Sequence, residues 1–241
     1  MTKHRIDSLL VDRGLVESRA KAQALIMAGE VVVDDRLVIK SGTLVAEEAA
    51  IIIIEPPPFV GRGGLKIDYA LDRFQLDVSS KVVADVGAST GGFTDCLLKR
   101  EASRVYAIDV GHGQLDYRLR RDTRVVVIES TNARYPITLP EKVDLATIDV
   151  SFISVEKIIP SVAQLVKDNG YLLVLIKPQF EAMRKEVGKG GVIKQPIVHA
   201  RVLGRFIAWM IGHSFRLGGL VAAPILGASG NREFFVLLEL T

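Results

Sequence analysis

Asp149, in TIDVSF, and Lys177, in LIKPQF, each follow a short apolar run that reads as a β-strand. In an open parallel sheet the carboxyl ends of neighbouring strands border the ligand crevice, so both side chains would face a bound ligand. A lysine there can remove a proton from a hydroxyl group, provided it is neutral, and nearby positive charge favours the neutral form. Lys66, in GGLKIDYALDRF, is a candidate for such a charge, and Glu233, in GNREFF, could supply the second carboxylate that holds two lysines together. The chemistry served would be alkylation of an alcohol with lysine as the base. Spacing along the chain does not show that Lys66 and Glu233 join the other two.

What would be bound is read from VVADVGASTGGFTDCLL, residues 82–98, an apolar run that breaks on glycines and resumes with helical spacing. It is neither the GxxxxGK[ST] of a phosphate loop nor a clean GxGxxG, and no lysine follows the glycines. Asp85, just before the turn, would repel phosphate and suits a cationic ligand. Asp109 ends the next strand about twenty residues on, where an acid can accept hydrogen bonds from ribose hydroxyls. S-adenosylmethionine (SAM) has a sulfonium, an ammonium and a ribose but no phosphate, and it fits this pattern. The expected contacts from the turn are Asp85, Gly87, Ser89, Gly91 and Gly92. Enzymes that methylate exocyclic base amines often carry a polar-Pro-Pro-aromatic loop after the fourth strand; here that place reads DVSF, which favours a hydroxyl acceptor.

The elements that must position these residues alternate. After the prolines of EPPPF come a helix over GGLKIDYALDRF, with Leu65, Tyr69 and Leu71 expected inward, and the strand VVADV. A helix from about Gly92, RVYAIDV, QLDYRLRR, RVVVI, VDLATIDV, VEKIIPSVAQLVK and YLLVLIK follow. That rhythm predicts a parallel sheet with crossover helices, and FRLGGLVAAPI and REFFVLLEL close it. Before the prolines lies a unit of about 55 residues: two short helices with Gly14 and Gly29 as stops and Ser18 as an N-cap, a hairpin turning at Asp34–Asp35, and the strand AAIIII. The expected organisation is 1–55, a proline-rich linker at 56–62, and a catalytic domain at 63–241.

In order, GRGGLKIDYAL, DVGASTGGFTDCLL, AIDVGHGQLDYRLR, STNAR, DVSFIS, IKPQFEA, VGKGGV and GNREFF resemble the TlyA (haemolysin A) family of ribosomal RNA methyltransferases. The first 55 residues resemble its S4-type RNA-binding domain. The resemblance implies an α/β, Rossmann-like methyltransferase fold, mostly parallel with an antiparallel closing strand, preceded by a small α+β S4 domain. It implies ribose 2′-O-methylation by an FtsJ-type Lys-Asp-Lys-Glu tetrad falling on Lys66, Asp149, Lys177 and Glu233, with Lys177 as the base. The SAM site it implies includes Gly87, Gly91, Phe93, Asp109, Asn132 and Ala133, with Asp149 near the methyl group. Ribosomal subunits, with cytidines in one or both rRNAs, are the implied substrate. Gly61, Ser130, Met183 and Lys185 depart from the family's usual residues, and none belongs to the tetrad.

Charge qualifies the RNA-binding reading. The chain is net +3, yet residues 1–60 carry 7 Lys+Arg against 9 Asp+Glu. A front domain that binds RNA must therefore use one face, for which Lys3, Arg5, Arg13, Arg19 and Lys21 are the expected contacts, clustered in the first two helices. RLRRDTR (118–124) and RKEVGKGGVIK (184–194), the latter expected as a mobile loop over the cofactor, could guide RNA to the site. One cysteine and four histidines leave no expectation of a metal. No signal-like core or membrane-length apolar run is present, so a cytoplasmic protein is expected. Two alternatives remain open: a non-catalytic RNA-binding or ribosome-assembly factor, which an intact tetrad disfavours, and a haemolysin-like membrane-active protein.

Overall fold

The computed structural model describes residues 2–54 and 57–240; Glu55, the last residue of the expected first domain, and Pro56, the first of the expected linker, lie outside them. The chain forms two compact units, Met1–Pro57 and Pro58–Thr241. Phe59 and Val60 pack into the core of the second unit, and the Val60 amide donates to Asp95 at 2.8 Å, so this end of the proline-rich stretch is built into that unit.

The first unit contains β1 (Lys3–Arg5), α1 (Ile6–Asp12), α2 (Arg19–Met27), β2 (Val31–Val33), β3 (Arg36–Leu37), β4 (Leu44–Ala46) and β5 (Ile51–Ile53). Ser18 caps α2 by accepting from the Lys21 amide, and Gly14 and Gly29 take positive φ past the two helix ends. Asp34 and Asp35 both have positive φ, as a two-residue hairpin turn requires. Ile6, Leu10, Ile26 and Val31 form the fully buried centre of this unit. Lys3 and Arg5 lie on β1 and Arg13 just beyond α1, so the basic cluster is not confined to the two helices.

The second unit begins with α3 (Arg62–Arg73) and continues with β6 (Val82–Val86), α4 (Gly92–Lys99), β7 (Arg104–Ile108), α5 (Tyr117–Arg121) and β8 (Val125–Ile128). Next come β9 (Val143–Ile148), α6 (Ile159–Ala163), β10 (Val166–Ile176), α7 (Pro178–Glu181), α8 (Pro196–Gly212), β11 (Arg216–Ala222) and β12 (Phe234–Glu239). The strands form one sheet in the order β11-β12-β10-β9-β6-β7-β8. It is parallel from β10 to β8, while β12 runs antiparallel beside β10 and β11 antiparallel beside β12. This is the Rossmann-like fold of SAM-dependent methyltransferases, with the closing strand slotted between β10 and β11.

Side chains alternate across this sheet and fill two cores. Val83, Leu145, Leu173, Leu175 and Phe235 pack with α3 and α4; Ala84, Ala146, Leu172, Val174 and Val236 pack with α6 and α8. On α3 the buried stripe is Gly64, Lys66, Ile67, Ala70 and Leu71. Leu65 points to solvent and Tyr69 is half-buried, contrary to the expected inward set, because the helix begins at Arg62 and its stripe runs at 64, 67 and 71. Among the described residues no helix is long and apolar enough to cross a membrane, and no cluster of His, Cys, Asp or Glu could hold a metal.

Candidate active site

The glycine turn between β6 and α4 is shaped by two close approaches. Gly87 has φ +87°, and a Cβ there would lie 2.3 Å from the Asp149 carbonyl oxygen, so the exits of β6 and β9 touch through a bare backbone. Gly91 has φ +99°, and its Cβ would strike Leu119 and Leu115. Gly92 lies against the backbone of Gly63 and Gly64 on α3, and buried Phe93 packs on Phe235 with ring centroids 6.1 Å apart. Of the residues expected at the cofactor, Gly91, Gly92 and Phe93 therefore support the turn from behind.

In front of the turn is a cleft of about 480 Å³, lined by Gly87, Ser89, Asp109, Asn132, Ala133 and Asp149 among others. Asp109 is fixed by two backbone amides, Ser89 to Oδ2 at 2.8 Å and Gly111 to Oδ1 at 2.7 Å. Its remaining lone pairs can accept from a ribose diol. The lining offers two carboxylates and no lysine or arginine, with Val86, Ile108 and Ile153 as apolar wall. That donor set fits a ligand with positive charge, a ribose and a flat apolar base, and it fits SAM.

Asp85 does not line this cleft, which corrects the expected contact. It is wholly buried on the α3/α4 side of the sheet, where Thr94 Oγ1 donates to it at 2.6 Å and Thr147 Oγ1 at 3.1 Å. One residue of strand alternation puts the side chain inside rather than at the mouth. Burial pushes its carboxyl up to about 6, and the charge of Asp149 adds to the rise.

The same alternation assembles the tetrad. Asp149, Lys177 and Glu233 have the parity of Thr147, Leu175 and Phe235, on the side covered by α3, which carries Lys66. The last β10–β12 pair is Ile176–Phe234, so Lys177 and Glu233 are the next facing positions. Lys66 Nζ lies 2.6 Å from Glu233 Oε2, both groups nearly sealed from solvent, and a Cβ on Gly227 would meet the other glutamate oxygen at 2.3 Å. Lys177 Nζ lies 2.6 Å from Oδ1 of Asp149, the member of the pair that lines the cleft. That contact is an ion pair without the alignment of a hydrogen bond, and Asp149 Oδ1 has no other donor. The directed partner of Lys177 Nζ is Ser151 Oγ, at 2.9 Å.

Three further residues were not singled out by type or spacing. Phe152 is 90% exposed with φ +65°, its ring 4.9 Å from that of Phe180. Ser151, beside it, holds the lysine. Buried Asn231 accepts from the Ile193 amide and donates to the Gly191 carbonyl, each at 2.9 Å. It thereby clasps the glycine loop expected to be mobile to the turn that precedes Glu233. The polar residues in DVSF and GNREFF were visible, but nothing in sequence marks which of them turn inward.

In the first unit Arg5 and Arg19 both bond to buried Asp7, which Gln23 also contacts, and the guanidinium of Arg5 holds that carboxyl well below its usual range. Arg13 donates to the backbone carbonyls of Ala49 and Glu47. Lys3 and Lys21 are exposed and make no ion pair among the described residues. In the second unit the tract 118–124 is largely spent locally: Arg118 on Asp116, Arg120 on Glu129 and Arg124 on Asp122.

Comparison with known proteins identifies both units. A family model described as FtsJ-like methyltransferase matches residues 59–240, and the S4 domain model matches residues 4–51. A Bacillus subtilis relative named as an rRNA methyltransferase, YqxC, is 44% identical, covering 98% of this chain and 86% of its own. The 16S/23S rRNA (cytidine-2′-O)-methyltransferase TlyA of Mycobacterium tuberculosis is 41% identical, covering 98% and 89%. A solved structure from Streptococcus thermophilus, described as a hemolysin, is 40% identical with a TM-score of 0.75, covering all of this chain and 90% of that one. With an S4 domain ahead of an FtsJ-like catalytic unit and a cleft suited to SAM, the chain belongs to the TlyA (haemolysin A) family of SAM-dependent methyltransferases.

Proposed function

We propose that the chain transfers a methyl group to the ribose 2′-hydroxyl of ribosomal RNA, at cytidine, with Lys177 as general base. The observation that carries this reading is the pairing of Lys177 with Asp149, which lines the SAM cleft, backed by Lys66–Glu233. When bound, SAM supplies a methyl group on a positively charged sulfur. A 2′-hydroxyl is a poor nucleophile until its proton leaves. Lys177, acting through its free-amine form, would take that proton as the hydroxyl oxygen received the methyl group SAM would supply, leaving the sulfur a neutral thioether, and the resulting ammonium would return the proton to water. Asp149, 2.6 Å from the amine nitrogen, stabilises the ammonium as it forms. Glu233 keeps Lys66 in place without exposing its charge.

The substrate class draws on the names of the relatives and on the S4 domain, for which Lys3, Arg5, Arg19 and Lys21 are the RNA contacts we assign; Arg13 instead braces its own unit. Ribosomal subunits are the proposed partner. The test is methyl transfer from labelled SAM to unmodified bacterial ribosomal subunits, followed by nucleoside analysis, with Lys177→Ala and Asp149→Ala alongside. A 2′-O-methylcytidine that disappears in Lys177→Ala supports the reaction and the base. Measurable SAM binding without transfer to any ribosomal particle would remove the substrate.

A further inference from the structure

We infer that Ser151 is a positioning residue that aims the lone pair of Lys177, an inference that rests on the proposed role of Lys177 as base. A lysine amine turns freely about its last bond, so a base built from it needs a second group to set that rotor. Asp149 Oδ1 supplies charge at 2.6 Å but is not aligned to receive an N–H. Ser151 Oγ, at 2.9 Å, is the side-chain atom that makes a directed hydrogen bond with Nζ, and Ser151 also lines the cleft.

The backbone holds both ends of this contact. Lys177 precedes Pro178, which confines it to the extended conformation it shows, with φ −110° and ψ 98°. Two residues before Ser151, the Asp149 amide is bound to the Val86 carbonyl at 2.9 Å. A neutral amine has two N–H groups and one lone pair. With one N–H on Ser151 and the negative charge of Asp149 attracting the other, the lone pair is left to the third tetrahedral direction, the one available to an incoming hydroxyl. The transferred proton arrives there, and the ammonium keeps both existing partners. Loss of the serine hydroxyl frees the rotor, and a base misaimed by about an ångström loses on the order of a hundredfold in rate.

The experiment compares the full chain with Ser151→Ala, Ser151→Thr and Lys177→Ala. Its readouts are methyl transfer to unmodified ribosomal subunits, SAM affinity by calorimetry, and acetylation of Lys177 by acetic anhydride at neutral pH, followed by peptide mass spectrometry. In Ser151→Ala, kcat is expected to fall about 10- to 100-fold, with KM for the subunit and the SAM Kd each within about twofold. Ser151→Thr, which keeps the hydroxyl, is expected to restore kcat, and Lys177 in Ser151→Ala should be acetylated no more slowly than in the unaltered chain. The proposal is overturned if Ser151→Ala keeps full kcat, if its loss matches a loss of SAM affinity, if threonine fails to restore it, or if acetylation slows in parallel. Full activity in Lys177→Ala would sink the base assignment itself, whereas an inactive Lys177→Ala beside a fully active Ser151→Ala would sink only the role of Ser151.

Discussion

Lys66–Glu233 and Lys177–Asp149 are chemically the same pair at the same 2.6 Å separation, yet they are built for different work. The first is enclosed by α3 and the turn at Gly227, with its lysine and glutamate side chains 10% and 4% exposed. In the second, Asp149 lines the cleft with its side chain 20% exposed, Lys177 is 12% exposed, and a serine hydroxyl is at hand. A buried pair fixes potential, because neither partner can change charge cheaply in a low-dielectric setting. An open pair can exchange a proton with a substrate and then with water. The difference lies in the access of the carboxylate, 4% exposed at Glu233 against 20% at Asp149, while the two lysines are nearly alike.

The contrast is broken most directly by removing each lysine. Lys177→Ala should lower kcat by about 10³-fold, within the range for loss of a general base, while calorimetry finds SAM affinity within about twofold and the denaturation midpoint close to that of the parent. Lys66→Ala should instead destabilise the catalytic unit by about 3 kcal/mol in urea, because Glu233 is left buried without a counter-charge. The double replacement Lys66→Met with Glu233→Leu should recover most of that stability and none of the activity. If Lys66→Ala costs no more stability than Lys177→Ala, the distinction between a sealed and an open pair is wrong.

Asp85 sharpens the comparison from beneath, as a buried carboxylate with hydroxyl partners and no cation. Its folded-state value, raised to about 6, exceeds the 3.8 of a free aspartate. Between those pH values the unfolded chain loses the proton while the folded chain keeps it, so native stability falls as pH rises through that window. Above pH 6 the cost is complete, on the order of 2–3 kcal/mol. Asp85→Asn should therefore raise the melting temperature more at pH 8 than at pH 4; an equal change at both would show that the carboxylate is not desolvated in this way.

The smallest effect concerns spent and available charge on the surface. Arg118 and Arg124 are each paired with a neighbouring aspartate, whereas Lys189 and Lys194 make no ion pair among the described residues. Replacing the two lysines by alanine should weaken binding of ribosomal RNA by less than about tenfold and reduce the salt dependence by nearly two phosphate contacts. The same change at the two arginines should leave the salt slope unaltered, and the opposite ranking would reverse the assignment of these tracts.

Much of this was legible in the sequence because strand ends are. Asp149, Lys177 and Asp109 each follow an apolar run, and a parallel sheet brings such positions to one edge. The pairing of Lys66 with Glu233 was not legible from the residues themselves: the two are 167 positions apart, and only the insertion of β12 beside β10 brings them together. Asp85 and Leu65 were misplaced for a related reason. A strand or helix pattern gives the period, but a shift of a single residue decides the face, and that shift is set by tertiary packing. Ser151 and Asn231 left no signal at all, since polar residues in loops are mostly solvated and only the folded chain shows which ones turn inward.

Gly87 carries no chemistry, yet its missing side chain lets the SAM turn rest against the carbonyl of Asp149. Any other residue there must push the two apart, moving the cofactor away from the group that answers its charge. In a genetic selection for loss of methylation, position 87 should consequently score with Lys177, and no change elsewhere in the turn should replace it without first moving that carbonyl. The most exacting position of this site is therefore one with nothing on it to mutate away, and inheritance can damage it only by addition.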